Sequence, residues 1–515
     1  MKRTKNYILI LLIFLSFGCN DFLEETSGDL LIPTKVDEFA PLLYKEGYPC
    51  KFNREAGWFK LMTDDVEMSY LEKSSSSSSD NSIDFDLLNG GEGKYAFTWD
   101  YNMEEYITDA FWTARYNNIL GCNAIIQALP KMKYNEDEKG KYMYLAAQAY
   151  ALRAYHYFCL INTYALPYST EHLQSPGVII RTSPEINIEP QKRASIEEVW
   201  TLINSDIKSA IEYMEKSIPS TNPHLLSPAA IWLLASRIAL FQEKWDKVIE
   251  YGKMFLSETN FIFDLNNVDE DKMGKSSPDD FFIMNIETNN EIIFTFGDGN
   301  QYYEYLSMPT SLYNLGFRVS YQSETSLLKM YDESDLRLKA YFMQDYIEKS
   351  SFPWIPDEKK YCYHYPIKFK SSKKGYFENW RTVEVFLNLS EAYARNQKEI
   401  SNEALDLINQ LRSKRIKTDK FVPLSKSTFK SKEDFIKFIW NERRRELCFE
   451  EIMRFWDLRR TGMQKIEHRW YSDKDNYELY VLEHKGNNYT VQIPRSETMY
   501  NDLVTPNKRD VITPK

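Results

Sequence analysis

Helical periodicity constrains this chain more than any other feature. From Trp112 through Tyr116, Ile119, Ala124, Ile125 and Leu129 the apolar residues return at steps of three and four, and Pro130 closes the run. That spacing gathers them on one face of a helix, which must then be buried. Ala146 to Tyr164 reads as a second helix, in which Ala147 and Ala154 leave room for a neighbouring helix beside Tyr150, Tyr155 and Phe158. A third opens with Ser195 and Glu198 at capping-box spacing and carries Val199, Ile203, Ile207, Ala210, Ile211 and Met214 on one stripe. Ser227-Pro228 opens a fourth, with serine as the cap and proline at the first helical position, where its missing N–H costs nothing.

The same fourth segment continues as Trp232, Ala235 and Ala239, breaks at Glu243-Lys244, and resumes as Trp245, Val248, Ile249 and Phe255, in the manner of a tetratricopeptide helix pair. Val383 to Arg395, then Ile400-Ser401-Asn402, then Ala404, Leu405, Ile408 and Leu411 repeat the pattern. Such pairs cannot bury their faces singly, so they are predicted to stack into a superhelix although they stand apart in sequence. With only 18 glycines and 20 prolines in 515 residues, the chain also lacks the punctuation of an all-β fold. The 64 basic residues are outnumbered by 75 acidic ones and form no sustained basic stripe outside one helix, so nucleic acid is not an expected partner.

At the N-terminus Lys2, Arg3 and Lys5 precede an apolar stretch from Tyr7 to Leu15 and then Ser16-Phe17-Gly18-Cys19. The apolar core is too short to span a bilayer and reads as a secretory signal over residues 1–18. Gly18-Cys19 looks like the lipobox of bacterial lipoproteins, which makes Cys19 the expected acylation site, a palmitate-type anchor. Loss of residues 1–18 removes three basic groups and takes the net charge from −11 to −14, so acyl chains rather than attraction to anionic lipid would hold the protein. The remaining cysteines, Cys50, Cys122, Cys159, Cys362 and Cys448, cannot all pair and form no C-x-x-C. The six histidines are scattered without ligand spacing, so neither a metal nor a cofactor is expected.

Between the helical sections the chain changes character. Residues 57–106 hold the serine run Ser74 to Ser79, the loop Asn89-Gly90-Gly91-Glu92-Gly93 and many aromatics; the loop lacks the glycine order of a phosphate cradle. Residues 261–380 hold a strand-like Glu291 to Phe296 followed by an apparent turn, Gly297-Asp298-Gly299-Asn300. Near the end, Tyr477 to Val481 and Tyr489 to Ile493, joined through Lys485-Gly486-Asn487, are predicted to form a hairpin. The basic helix Asn441 to Glu450 is read as a structural ion network, with Glu442 facing Arg445, Arg443 facing Glu446, and Glu450 facing Arg454 at helical spacing.

Several of these segments together carry a resemblance. Cys19-Asn20-Asp21-Phe22-Leu23-Glu24, Trp112 to Asn123, Leu152-Arg153-Ala154-Tyr155, Arg193 to Asp206, Asp335-Leu336-Arg337 and Arg381 to Ala392 match SusD/RagB lipoproteins. The most specific stretch is Asn441-Glu442-Arg443-Arg444-Arg445-Glu446-Leu447-Cys448-Phe449-Glu450, continued by Arg454, Trp456-Asp457-Leu458 and Gly462, and closed by Ile493-Pro494-Arg495. The chain departs from the pattern at Glu451-Ile452-Met453 and at Gln492. The resemblance implies a mainly α fold, a tetratricopeptide-like right-handed superhelix with an irregular, loop-rich lobe and minor β-hairpins. It further implies one domain over residues 19–515, with helical repeats near 107–260 and 381–462 and a variable ligand-binding lobe near 57–106 and 261–380. The implied role is capture of an oligosaccharide or polysaccharide, or in some members a peptide, at the outer membrane beside a TonB-dependent transporter of SusC type, with the lipid anchor facing the protein to the cell exterior.

A neutral sugar offers hydroxyls and weakly apolar C–H faces, which aromatic planes on loops can meet. Trp99 and Tyr101 follow the glycine loop, Tyr302, Tyr303 and Tyr305 follow a glycine turn and cannot all face inward, and Trp354 lies in the aromatic-rich stretch 351–380; these six are the candidate ligand contacts. Trp112 and Tyr116 belong to the core by their place on the periodic helix face. Ring contacts at about 0.5–1.5 kcal/mol each make for weak single sites, so a polymer would be retained by multiplicity. An enzyme such as a glycosidase is the competing class. It needs two carboxylates about 5–9.5 Å apart, which sequence neither supports nor excludes, and the chain carries no G-x-S-x-G, zinc signature or phosphate loop.

Overall fold

Each of the periodic segments forms the helix its spacing predicts. The computed structural model describes residues 33–70, 92–185, 189–274, 281–299, 315–347, 361–368, 370–371, 375–472 and 476–515. Its principal helices are α1 (Val36–Gly47), α2 (Glu92–Phe97), α3 (Met103–Tyr106), α4 (Ala110–Ala128), α5 (Lys139–Tyr164), α6 (Ile196–Met214), α7 (Pro228–Phe241) and α8 (Trp245–Glu258). They are followed by α9 (Thr382–Asn396), α10 (Asn402–Ser413), α11 (Lys432–Leu447) and α12 (Met453–Arg460). The fold is mainly α. Helix α5 begins at Lys139 rather than Ala146, because a capping box between Asn135 and Glu138 has already started the winding. The expected caps form as well: Ser195 Oγ accepts from Glu198 N–H at 3.2 Å while Glu198 Oε2 accepts from Ser195 N–H at 2.7 Å. Ser227 and Ser401 cap α7 and α10 in the same way.

These helices stack in series: α4 packs on α5, α5 on α6, α6 on α7, α7 on α8, and α9 on both α10 and α11. The two halves of the stack meet where α8 packs on α9, across more than a hundred intervening residues. Gly252 makes that approach possible, since a Cβ there would stand 2.5 Å from Leu389 Cδ2. Trp112 and Tyr116 are buried, as their helix face requires.

The rest of the chain contributes short antiparallel sheets. They are β1 (Val66–Tyr70) with β3 (Leu315–Val319), β2 (Ile292–Gly299) with β7 (Gly375–Arg381), and β4 (Phe342–Ile347) with β5 (Tyr361–Pro366). Strand β6 (Lys370–Ser371) adds to β7, and β8 (Ile466–Tyr471) pairs with β9 (Tyr477–Leu482). Two expectations are corrected here. Strand β2 runs through the supposed turn to Gly299, absorbing the glycines as a register shift between Phe296 and Gly299. The late hairpin is β8–β9, with Trp470 opposite Glu478; Tyr489 instead closes a short 3-10 turn, Asn487–Tyr489. A period-two pattern shows that a segment is extended, and the choice of partner lies outside it. Where β2 and β7 meet the helices, Phe52, Phe111, Tyr155, Phe294, Phe296 and Trp380 form one continuous cluster of edge-on and tilted rings.

The basic helix α11 is structural, but most of its predicted pairs are not the observed ones. Only Glu442–Arg445 forms, at 2.5 Å. Glu446 instead faces Arg337 at 3.0 Å, Arg381 at 2.9 Å and Arg415 at 3.1 Å, and accepts from Tyr341 Oη at 2.8 Å. Arg443 reaches Asp457 at 2.8 Å and Asn388 Oδ1 at 2.7 Å, Arg444 reaches Asp65 at 2.7 Å, and Arg454 reaches Asp64 at 2.7 Å. Glu450 pairs with Arg381 at 2.5 Å and also with Lys368. A buried charge takes the nearest desolvated partner on any element, and these partners come from segments remote in sequence. Although burial acts against it, the surrounding guanidinium groups hold the Glu446 carboxyl well below the usual carboxylate range.

Candidate functional site

Among the described residues, a group of exposed aromatic residues with a built support lies where α2 ends. Trp99 N–H donates to Ala96 O at 3.2 Å and Asp100 N–H to Tyr95 O at 2.9 Å, the two bonds of a Schellman stop. Glycine usually occupies the left-handed position of that motif; here it is Trp99, at φ 51°. A bulky residue pays conformational strain there, and the surroundings hold it in place. The indole is fully buried, donates from Nε1 to Met62 O at 3.0 Å, and stacks on His468 at 4.2 Å, whose other face lies 4.0 Å from Phe97. Asn488 Nδ2 and Arg509 Nη2 both donate to Trp99 O, at 2.8 and 3.1 Å, and Arg509 Nη2 also reaches Asp100 O at 2.7 Å. Burial lowers the Arg509 guanidinium to about 10, a sign of how far this clamp is withdrawn from water.

The turn so pinned projects its next residues outward. Asp100 Oδ1 accepts from Asn102 N–H at 2.8 Å, and Tyr101 stands 45 % exposed. Helix α3 then returns Tyr106, 46 % exposed, so that its ring lies parallel to Tyr95 with centroids 3.7 Å apart and 3° between planes. Burial, then the adjoining Tyr106 and Asp100, push the Tyr95 phenol up. Half-buried Tyr480 on β9 donates to Glu478 at 2.8 Å and also feels the Asp100 charge. On the other face of the same hairpin Tyr477 is exposed beside Tyr471, ring centroids 5.4 Å apart, with the Arg469 guanidinium over its face at 5.0 Å. Tyr95, Tyr101, Tyr106 and Tyr480 thus gather around the Asp100 carboxylate at the end of α2, a tyrosine-lined surface with a carboxylate among the rings. Chemically it can stack on C–H faces and accept from hydroxyls.

Of the six sequence candidates, Tyr101 is on this surface. Trp99 is a correction: it is the buried wedge that fixes the turn and offers no ring to solvent, because its side chain is driven into the core against His468 while the chain turns outward after it. Tyr302, Tyr303, Tyr305 and Trp354 lie outside the described residues, as does Cys19. Residues 300–314 are flanked by Gly299 of β2 and Leu315 of β3, and Phe317 of β3 packs on Phe97 at 5.0 Å. Tyr95, Tyr106 and Tyr480 were not singled out from sequence. The alternation of rings at 95, 97, 99 and 101 was the available signal for the first; the pairing of Tyr106 with it depends on a turn that no glycine announces.

A profile described as "Starch-binding associating with outer membrane" matches residues 21–240, and one described as "SusD family" matches residues 261–509. No curated protein matches the sequence. Among solved structures, a SusD superfamily protein from Bacteroides thetaiotaomicron is similar over 92 % of this chain and 100 % of its own, at 18 % identity and a TM-score of 0.67. A SusD superfamily protein from Bacteroides fragilis is similar over 92 % and 99 %, at 20 % identity and 0.65. A SusD-like carbohydrate binding protein from Bacteroides vulgatus is similar over 92 % and 98 %, at 17 % identity and 0.62. At these identities the likeness establishes the fold.

Proposed function

The chain belongs to the SusD family, and on that premise we propose that it is a non-catalytic lipoprotein that captures a complex glycan on the tyrosine surface around Tyr101 and passes it to a TonB-dependent transporter of SusC type. In this reading Cys19 is acylated after removal of residues 1–18 and holds the protein on the outer face of the outer membrane. The helical stack near 107–260 and 381–462 is the frame, and the segments near 57–106 and 261–380 are the ligand lobe. Tyr302, Tyr303, Tyr305 and Trp354 belong to the same lobe by sequence and are proposed as further ligand contacts.

The observation that carries this reading is exposed Tyr106 stacked on half-buried Tyr95 beside exposed Tyr101, all presented by a strained turn that the buried Trp99 pins from beneath. Two or three ring contacts at about 0.5–1.5 kcal/mol each suit a weak, repeatedly used site on a polymer. The structural relative described as carbohydrate binding agrees with a sugar rather than a peptide ligand. The test is retardation of the soluble chain, beginning after Cys19, in gels containing neutral polysaccharides. At least one should slow the wild type, peptide pools should not compete, and Tyr101→Ala with Tyr106→Ala should restore free mobility. Ligand shortened to smaller products on incubation with the protein would overturn the non-catalytic assignment.

A further inference from the structure

Helix α3 presents tyrosine to the outside and, on another side, walls a recess. Trp58, Met103, Glu104, Ile107, Tyr164 and Val491 are among its lining residues, with Asp109, Gln492 and Pro494 at its edge. Its free volume of about 20 Å³ is room for one or two water-sized groups, open to solvent on one side. Most polar edges here are already engaged: Asp109 accepts from Ser496, and Gln492 bonds Asn507 and Ile493. Two are not. Trp58 Nε1, on a side chain only 4 % exposed, and Glu104 Oε2 are buried atoms without a hydrogen-bond partner among the described residues. An unmet buried donor or acceptor costs about 1–3 kcal/mol, so each is an invitation to a ligand.

The chemistry of the pair selects its guest. An indole N–H can only donate and a carboxylate can only accept, so a single group that satisfies both must do both. A hydroxyl does. An ammonium has nothing to offer the indole, and a carboxylate would be repelled by Glu104, while the walls of Met103, Ile107 and Val491 suit C–H groups. We propose that this recess is a subsite for one hydroxyl or hydroxymethyl group of a neutral sugar, accepting from Trp58 and donating to Glu104, and that at this position it takes a hydroxyl in preference to an ammonium or a carboxylate. The inference rests on the glycan reading above and adds its charge class. Glu104 shares α3 with Tyr106, so the recess adjoins the tyrosine surface.

The test follows the Trp58 indole proton by NMR in the soluble chain labelled with ¹⁵N-tryptophan, the signal assigned by its loss in Trp58→Phe. Glucose, galactose, mannose and xylose are titrated in turn, then glucosamine and glucuronate. At least one neutral sugar should move the signal saturably, and the charged sugars should not. Glu104→Ala should weaken that sugar by about tenfold or more, while Glu104→Gln, which keeps an acceptor oxygen, should retain most of it. If no neutral sugar moves the signal, or charged sugars move it equally, or Glu104→Ala leaves the titration unchanged, the recess holds only structural water and the inference falls. Should polysaccharide retardation that depends on Tyr101 persist beside a motionless Trp58 signal, the tyrosine surface survives and only the subsite is lost. A saturable, Glu104-dependent shift in a protein that no polysaccharide retards would sustain the recess and overturn polymer capture.

Discussion

Two residues apart in sequence, Trp99 and Tyr101 do opposite jobs, and substitution should separate them. Trp99→Ala removes a fully buried indole with its bond to Met62 and its stack on His468, which should cost about 3–5 kcal/mol in urea unfolding. Tyr101→Ala should leave the unfolding midpoint nearly unchanged and reduce polysaccharide retardation. His468 provides a pH test of the same support. Burial lowers its imidazole from 6.5 to about 4, so the folded protein keeps the ring neutral while the unfolded chain takes up a proton below 6.5. Its contribution to stability is therefore complete above about pH 6.5 and is lost as pH falls toward 4, by at most about 3 kcal/mol. Stability curves of wild type and His468→Gln should converge across that interval, the variant lacking this part of the acid dependence.

Where elements meet, close approach is set by glycines whose partners differ in how far they can yield. A Cβ at Gly121 on α4 would stand 2.6 Å from the backbone oxygen of Glu46 at the end of α1, whereas one at Gly252 would meet the end of the Leu389 side chain. Gly121→Ala should thus cost about 1–3 kcal/mol, and Gly252→Ala less, because a leucine can change rotamer and a packed carbonyl cannot. Thermal melts of the two single variants suffice. The helices themselves were legible: Ser195, Ser227 and Ser401 cap where they were expected to, and the apolar stripes of α4, α6 and α8 are buried. The strands were legible only as extended segments. Tyr477 to Val481 reads as a strand in any environment, but its partner is β8, upstream, whose Ile466, His468 and Trp470 face inward beside β1.

Across the whole molecule, Glu446 joins segments that begin at Arg337, Arg381 and Arg415. Glu446→Ala would leave three buried guanidinium groups short of a partner, and the loss should be about 3–5 kcal/mol or more, read as a lowered urea midpoint with little change in ligand retardation. Sequence could announce that α11 carries an ion network, since so many charges on one helix have few other uses, yet Arg443 and Arg454 went elsewhere than helical spacing suggested. Periodicity, capping and the family motifs are local properties of the chain, and they were enough to determine a mainly α architecture of stacked hairpins and its family. Which ring turns outward at a glycine-free stop, which carboxylate a buried arginine meets, and where an indole N–H is left waiting depend on residues hundreds of positions apart. Those were decided only in the folded molecule, where desolvation makes every polar atom find a partner or stand as a site.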